Sequence, residues 1–478
     1  MFLPNEAEDV QVASTSVEKS VAKLMDGGTD NAARRAPGRE LAVRARAALV
    51  GPPTTKPVAP TVADVINLSS FDKAIGSYLF TSFHVFDNGI VEPAMTIKGA
   101  LSQALVYYYP IAGRLVITGA ADGGGDQLCV SCTGEGVAFV SATASCALDD
   151  VKLFDPPFAA LLKELAVAHP AAGEAEADPL LLMQVTEFAC GGFVVGMTWN
   201  HVVADGKGIA QFLRAVGELA RGLPRPSVLP VSCGDDSLPE LPPLVAAMEK
   251  AMLTQESKQF AYLDVTIPSS VIGRVKAAFD DGGDVARSGG EPCTVFEAVA
   301  AVLWRSRTRA VLISGDSDAD TPAPLVFAAN VHKHVGAKHG YYGNCVTSQV
   351  VAATSGEVAN GDANDVVKLI RRAKELIPAQ FENGGVAMNG AAARVERQLM
   401  SALFGYNAFY VASWRNIGFE AVDFGGGRPA RVMCHVGPTA VPSCVACLPR
   451  DSGGASVLLL CVKEEHVDAF LAELESFK

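Results

Sequence analysis

One imidazole stands four residues ahead of one carboxylate in Asn200-His201-Val202-Val203-Ala204-Asp205-Gly206. Histidine is the usual general base because its pKa lies near neutral pH. The spacing alone is weak, since a chain with eight histidines yields ~0.4 such matches by chance. Its setting is stronger. Phe193, Val194, Val195, Met197 and Trp199 make a dense apolar run that predicts a strand buried on both faces. After the motif, Ile209, Phe212, Leu213, Val216 and Leu219 recur at helical spacing. His201 is therefore expected at a strand end, where a rigid scaffold presents a side chain to a cleft. Gly206 and Gly208 allow a sharp turn there, and Asp205 is suited to cap the coming helix.

The elements around this motif need a large scaffold, and 478 residues at ~150 per domain predict two or three domains. With 49% hydrophobic and 19% charged residues, material for large cores is ample. The net charge of −13 argues against nucleic acid or an anionic membrane surface as main partner. No segment approaches the ~20 apolar residues of a membrane span. Met1 to Val10 carries no basic-then-apolar signal, so a cytoplasmic protein is expected. The eleven cysteines are scattered through apolar surroundings. Cys129-x-x-Cys132 and Cys444-x-x-Cys447 have no histidine at zinc spacing and read as buried reduced thiols. His332, Lys333, His334, Lys338 and His339 form a basic loop without interleaved carboxylate or cysteine, so no metal is expected.

Residues 1–40 are polar and aperiodic and predict a disordered tail. A first domain is expected over 41–221, with strands at Ser77–Val85, Leu115–Ile117, Gln127–Val140 and Leu180–Thr186 and helices at Thr96–Val106 and Pro156–Ala168. Gly222 to Pro243 holds six prolines, which marks 222–250 as a crossover linker. The second domain, 251–478, opens with a strand at Phe260–Ile267 and a helix at Pro268–Phe279 that carries Arg274 and Lys276. Thr294-Val295-Phe296-Glu297 reads as a capping box. Strands and helices mix in both halves.

At this point the chain resembles the plant BAHD acyltransferases, which move acyl groups from coenzyme A thioesters to hydroxyls or amines. Their first signature, H-x-x-x-D-G, is His201 to Gly206, and their second, D-F-G-W-G, reads Asp423-Phe424-Gly425-Gly426-Gly427. Supporting blocks match in order: Leu68-Ser69-Ser70-Phe71-Asp72, Tyr108 to Leu115, Gln184 to Thr186, Cys190 to Gly192, Tyr341 to Asn344, and Ser413-Trp414. The match runs from about Val43 to the C-terminus.

The resemblance implies a chloramphenicol acetyltransferase-like α/β fold. Two similar domains, each a mixed sheet flanked by helices, enclose a channel with the histidine at its middle. It implies a monomer without permanent cofactor, using acyl-CoA as co-substrate and a small-molecule alcohol or amine as acceptor. His201 would act as base and the Trp414 indole as oxyanion donor. Asp205, Gly206, Asp423, Gly425 and Gly427 would shape the surrounding loops, with Asp205 in an ion pair pointing away from the cleft. Asp423 would pair with an arginine of an N-x-R segment, which here is Asn330-Val331-His332. Gly426, where the family has tryptophan, is expected to leave a void or a looser backbone. Ala412 lacks a hydroxyl that some members carry. Arg274 and Lys276 are the candidates for coenzyme A phosphates. These departures leave open a degenerate relative that binds a metabolite or protein partner without turnover.

Overall fold

The computed structural model describes residues 43–478 apart from 46–53, 60, 62–63, 77, 120–126, 156–157, 168–177, 233–237, 282–290, 383–398, 436, 450–452 and 478. The expected tail at 1–40 lies outside the described residues. Two mixed sheets dominate. The first runs, in hydrogen-bonded order, Val43–Ala45, Val137–Ala144, Leu181–Phe188, Phe193–Asn200, Leu79–Phe86 and Arg431–Cys434, with Thr54–Thr55 on Val137–Ala144. The second runs Tyr262–Ile267, Ala455–Leu460, Ser443–Cys447, Phe409–Ser413, Leu325–Asn330 and Val346–Val351. A small sheet joins Val65–Asn67, Gln127–Ser131 and Arg114–Thr118.

The strand before the motif is central, paired antiparallel to Leu181–Phe188 and Leu79–Phe86. From Phe193 to Trp199 every residue is buried, as the unbroken apolar run requires. Arg431–Cys434, although it follows the crossover, pairs with Leu79–Phe86 in the first sheet. The two halves thus share a sheet. The second half is built on helix Val295–Ile313, which Thr294 and Glu297 cap as the sequence pattern requires.

Three readings need correction. Gln127–Val140 is two strands in different sheets, because Gly134 (φ 66°) and Gly136 (φ 93°) turn the chain between them. Pro156–Ala168 is not an α-helix; 3-10 turns cover Phe158–Leu165. The crossover contains helix Pro243–Met252, whose proline sits in the first turn, where its missing N–H costs no hydrogen bond. The strand Ser443–Cys447 escaped the sequence reading altogether.

Candidate active site

The buried strand ends at Asn200, whose side-chain oxygen accepts the Val202 N–H at 3.1 Å and starts a 3-10 turn over His201–Val203. His201 donates its own N–H to the Tyr78 carbonyl at 2.8 Å. Trp199 donates its indole N–H to Ala204 at 3.1 Å, so the strand also grips the far side of the turn. The His201 ring packs against Phe80, with centroids 4.8 Å apart, and beyond Trp199 lies Trp414 at 6.4 Å from it. Trp414 directly follows strand Phe409–Ser413 and is buried. A Cβ on Gly206 would lie 3.7 Å from its indole nitrogen. The turn therefore sets Gly206 beside Trp414 from the other half, while His201 and Trp414 share Trp199 as a ring neighbour.

Burial lowers the His201 pKa below its ordinary value, against the smaller upward pull of the Asp205 carboxylate and of Asn344. The imidazole is neutral at neutral pH. Its Nδ1 is buried without a hydrogen-bond partner among the described residues.

Asp205 caps helix Gly206–Ala220. One oxygen accepts the Gly208 N–H at 2.9 Å, and the other accepts the Cys345 N–H from the second half at 3.0 Å. The carboxylate holds the loop, but through backbone N–H groups instead of the expected ion pair. Beside it, Asn344 donates its amide to the His201 carbonyl at 2.7 Å and to Asp72 at 2.8 Å. Asp72 is fully buried and also accepts the Ser69 hydroxyl at 2.7 Å. Three blocks far apart in sequence thus converge on the histidine turn. Asp72 and Asn344 lay inside blocks recognised in the sequence, but nothing local told which groups they would meet. Phe80 and Tyr78 fell in the predicted strand Ser77–Val85, but nothing in the sequence marked them as neighbours of the histidine.

Asp423 lies at the other end of the same helix, beside Gly217 and about 16 Å along the axis from Gly206 at 1.5 Å per residue. It accepts N–H groups from Gly425 at 2.7 Å and Gly427 at 3.0 Å. Both glycines have positive φ, 120° and 103°, which a side chain would strain. The expected pairing with His332 does not form; Asp423 pairs with Arg221 at 3.7 Å. His332 instead contacts Asn330 at 3.1 Å and the Tyr341 carbonyl at 3.4 Å. The void expected at Gly426 is also absent. A Cβ there would stand 2.7 Å from the Asn88 carbonyl and 3.1 Å from Ile90, so the loop at 88–90 has closed onto the space. Arg274 is tied to the Phe477 carbonyl, and Lys276, on the same helix Ser269–Asp281, is an electrostatic neighbour of Cys293 outside it. Neither is brought together with His201 or Trp414. All described cysteines are free thiols.

A family model described as the Transferase family matches residues 51–477. The chain belongs to this family of BAHD acyltransferases. Acyl transferase 15 of Oryza sativa subsp. japonica is 43% identical over 88% of this chain and 95% of its own length. A myricetin 3-O-glucosyl 1,2-rhamnoside 6'-O-caffeoyltransferase of Crocosmia x crocosmiiflora is 32% identical over 89% and 98%. Among solved structures, F. graminearum TRI101 complexed with coenzyme A and T-2 mycotoxin shares the fold, with a TM-score of 0.65 at 17% identity over 86% of this chain and 97% of that one. No described helix of this acyltransferase is long and apolar enough to cross a membrane.

Proposed function

We propose that this acyltransferase moves an acyl group from an acyl-CoA thioester to a hydroxyl or amine of a small specialised metabolite, with His201 as general base and no acyl-enzyme. His201 accepts the acceptor's proton as its oxygen or nitrogen attacks the thioester carbonyl. The resulting oxyanion takes a hydrogen bond from the Trp414 indole. Collapse expels the coenzyme A thiolate, which recovers the proton from the imidazolium. The observation that carries this reading is a desolvated imidazole at a strand end, its backbone held by Tyr78 and by Asn344 of the other half, with Trp199 as ring neighbour both to it and to Trp414. Asn344 is a positioning residue: it fixes the backbone carbonyl from which the imidazole projects. Asp205, Gly206, Asp423, Gly425 and Gly427 set the backbone around the site. The protein acts as a monomer in the cytoplasm on this reading, and the free cysteines fit that reducing compartment.

Of the features favouring a non-catalytic relative, Gly426 sits in an intact turn and His332 is not the partner of Asp423. Only Ala412 remains. Thiol release by purified protein against a panel of acyl-CoA donors and alcohols or amines tests the proposal. His201→Ala should lower kcat by about 10³-fold; turnover equal to wild type would refute the base. Asn344→Ala should lower kcat and also move the acid limb of the pH profile downward, because its side chain raises the His201 pKa. An unmoved limb would leave Asn344 a mere fold contact.

A further inference from the structure

We propose that the cleft between helix Gly206–Ala220 and the loop at 332–341 is a binding site for a phosphate-bearing ligand. The cleft holds about 440 Å³ and is lined by both halves of the chain. Lys207 and Arg214, two helical turns apart, face Lys333 and Lys338 across it. His332 and His339 complete the basic wall. One carboxylate, Glu218, also lines the cleft, but Ser227 occupies both its oxygens, through its N–H at 2.7 Å and its hydroxyl at 2.6 Å.

In a chain of net charge −13, four cations converging on one concavity is the reverse of the surface average. Lys207, Arg214 and Lys333 have no ion-pair partner among the described residues. The frame is rigid as well: Gln211, one turn after Lys207, donates to the Gly340 carbonyl at 2.9 Å and to the Tyr108 hydroxyl at 3.2 Å. Lysines bind phosphate as point charges, and Arg214 adds a planar fork that matches two phosphate oxygens. The volume suits a nucleotide-sized fragment.

The same chemistry has two sources: the nucleotide tail of the acyl-CoA donor, or a separate phosphorylated metabolite. The first rests on the transferase reading above; the phosphate site itself does not. Ile417 also lines the cleft, and its Cδ1 lies 3.1 Å from the Cβ position of Gly206, beside the Trp414 indole. The cleft therefore shares Ile417 with the surroundings of Gly206 and Trp414.

The test is calorimetric titration of the whole chain with adenosine 3',5'-bisphosphate and with inorganic phosphate, for wild type and for Lys207→Gln/Lys333→Gln, with melting temperature as the folding control. The double variant should weaken bisphosphate binding about tenfold or more, and added salt should weaken wild-type binding because the lysines are exposed to screening. A raised KM for acyl-CoA at unchanged kcat assigns the cleft to the donor tail. Lost bisphosphate or phosphate binding with unchanged KM assigns it to a separate ligand. Equal binding by wild type and variant, or no wild-type binding at millimolar bisphosphate, overturns the site. Thiol release by wild type is scored in parallel, so failure of the transferase reading is seen independently.

Discussion

The two aspartate turns at opposite ends of helix Gly206–Ala220 use the same chemistry to different effect. Each carboxylate accepts two backbone N–H groups, Asp205 from Gly208 and Cys345 and Asp423 from Gly425 and Gly427. Asp205 is 1% exposed, and one of its donors lies 140 residues away. Asp423 is 32% exposed and closes its own turn. Water can replace the bonds of the second but not of the first. The lesson is that a motif aspartate matters through what it reaches, and reach is a property of packing.

The largest test of this contrast is Asp205→Ala, which strands two buried N–H groups and should cost ~3 kcal/mol in a denaturant titration. A loss no greater than that of Asp423→Ala would break the comparison. Next comes Gly426→Trp. Restoring the family residue should destabilise by ~2 kcal/mol, because the loop at 88–90 already fills the space; a gain in stability would mean a cavity exists there. Asp423→Ala should cost ~1 kcal/mol, and Arg221→Ala ~0.5 kcal/mol or less, fading with salt, since both partners are about a third exposed.

The smallest effect, and the sharpest, concerns pH. The base works only when neutral, and burial places its pKa below the ordinary histidine value of 6.5. The rate kcat/KM should therefore be flat near neutrality and fall with acid only below that value. Asp205→Asn removes a charge that raises this pKa and should move the acid limb to lower pH. Asp423→Asn should leave it in place. Equal movement in both variants would contradict the separation of the two ends.

Much of the fold was legible. The strand Phe193–Asn200 shows in its unbroken apolar run, the cap of Val295–Ile313 in Thr294 and Glu297, and the helix after His201 in its spacing. Misreadings arose where local signals competed. Alternation carried the reading of Gln127–Val140 past Gly134 and Gly136, although these glycines mark the turn. Prolines concealed helix Pro243–Met252, where proline begins the helix instead of breaking it. Site geometry was less legible: the Asn330–His332 segment was matched to Asp423, yet Arg221, at the helix end four residues after Gly217, took the place.

By itself the sequence determined the histidine turn, its buried strand, its capped helix and the family they mark, because period, capping and turn chemistry act over a few residues. Only the tertiary structure decided that Asn344 grips the histidine carbonyl, that Cys345 receives Asp205, that the loop at 88–90 closes on Gly426 and that four cations share one cleft. These are contacts between segments up to hundreds of residues apart, and which segments meet depends on how the two sheets and their helices pack together.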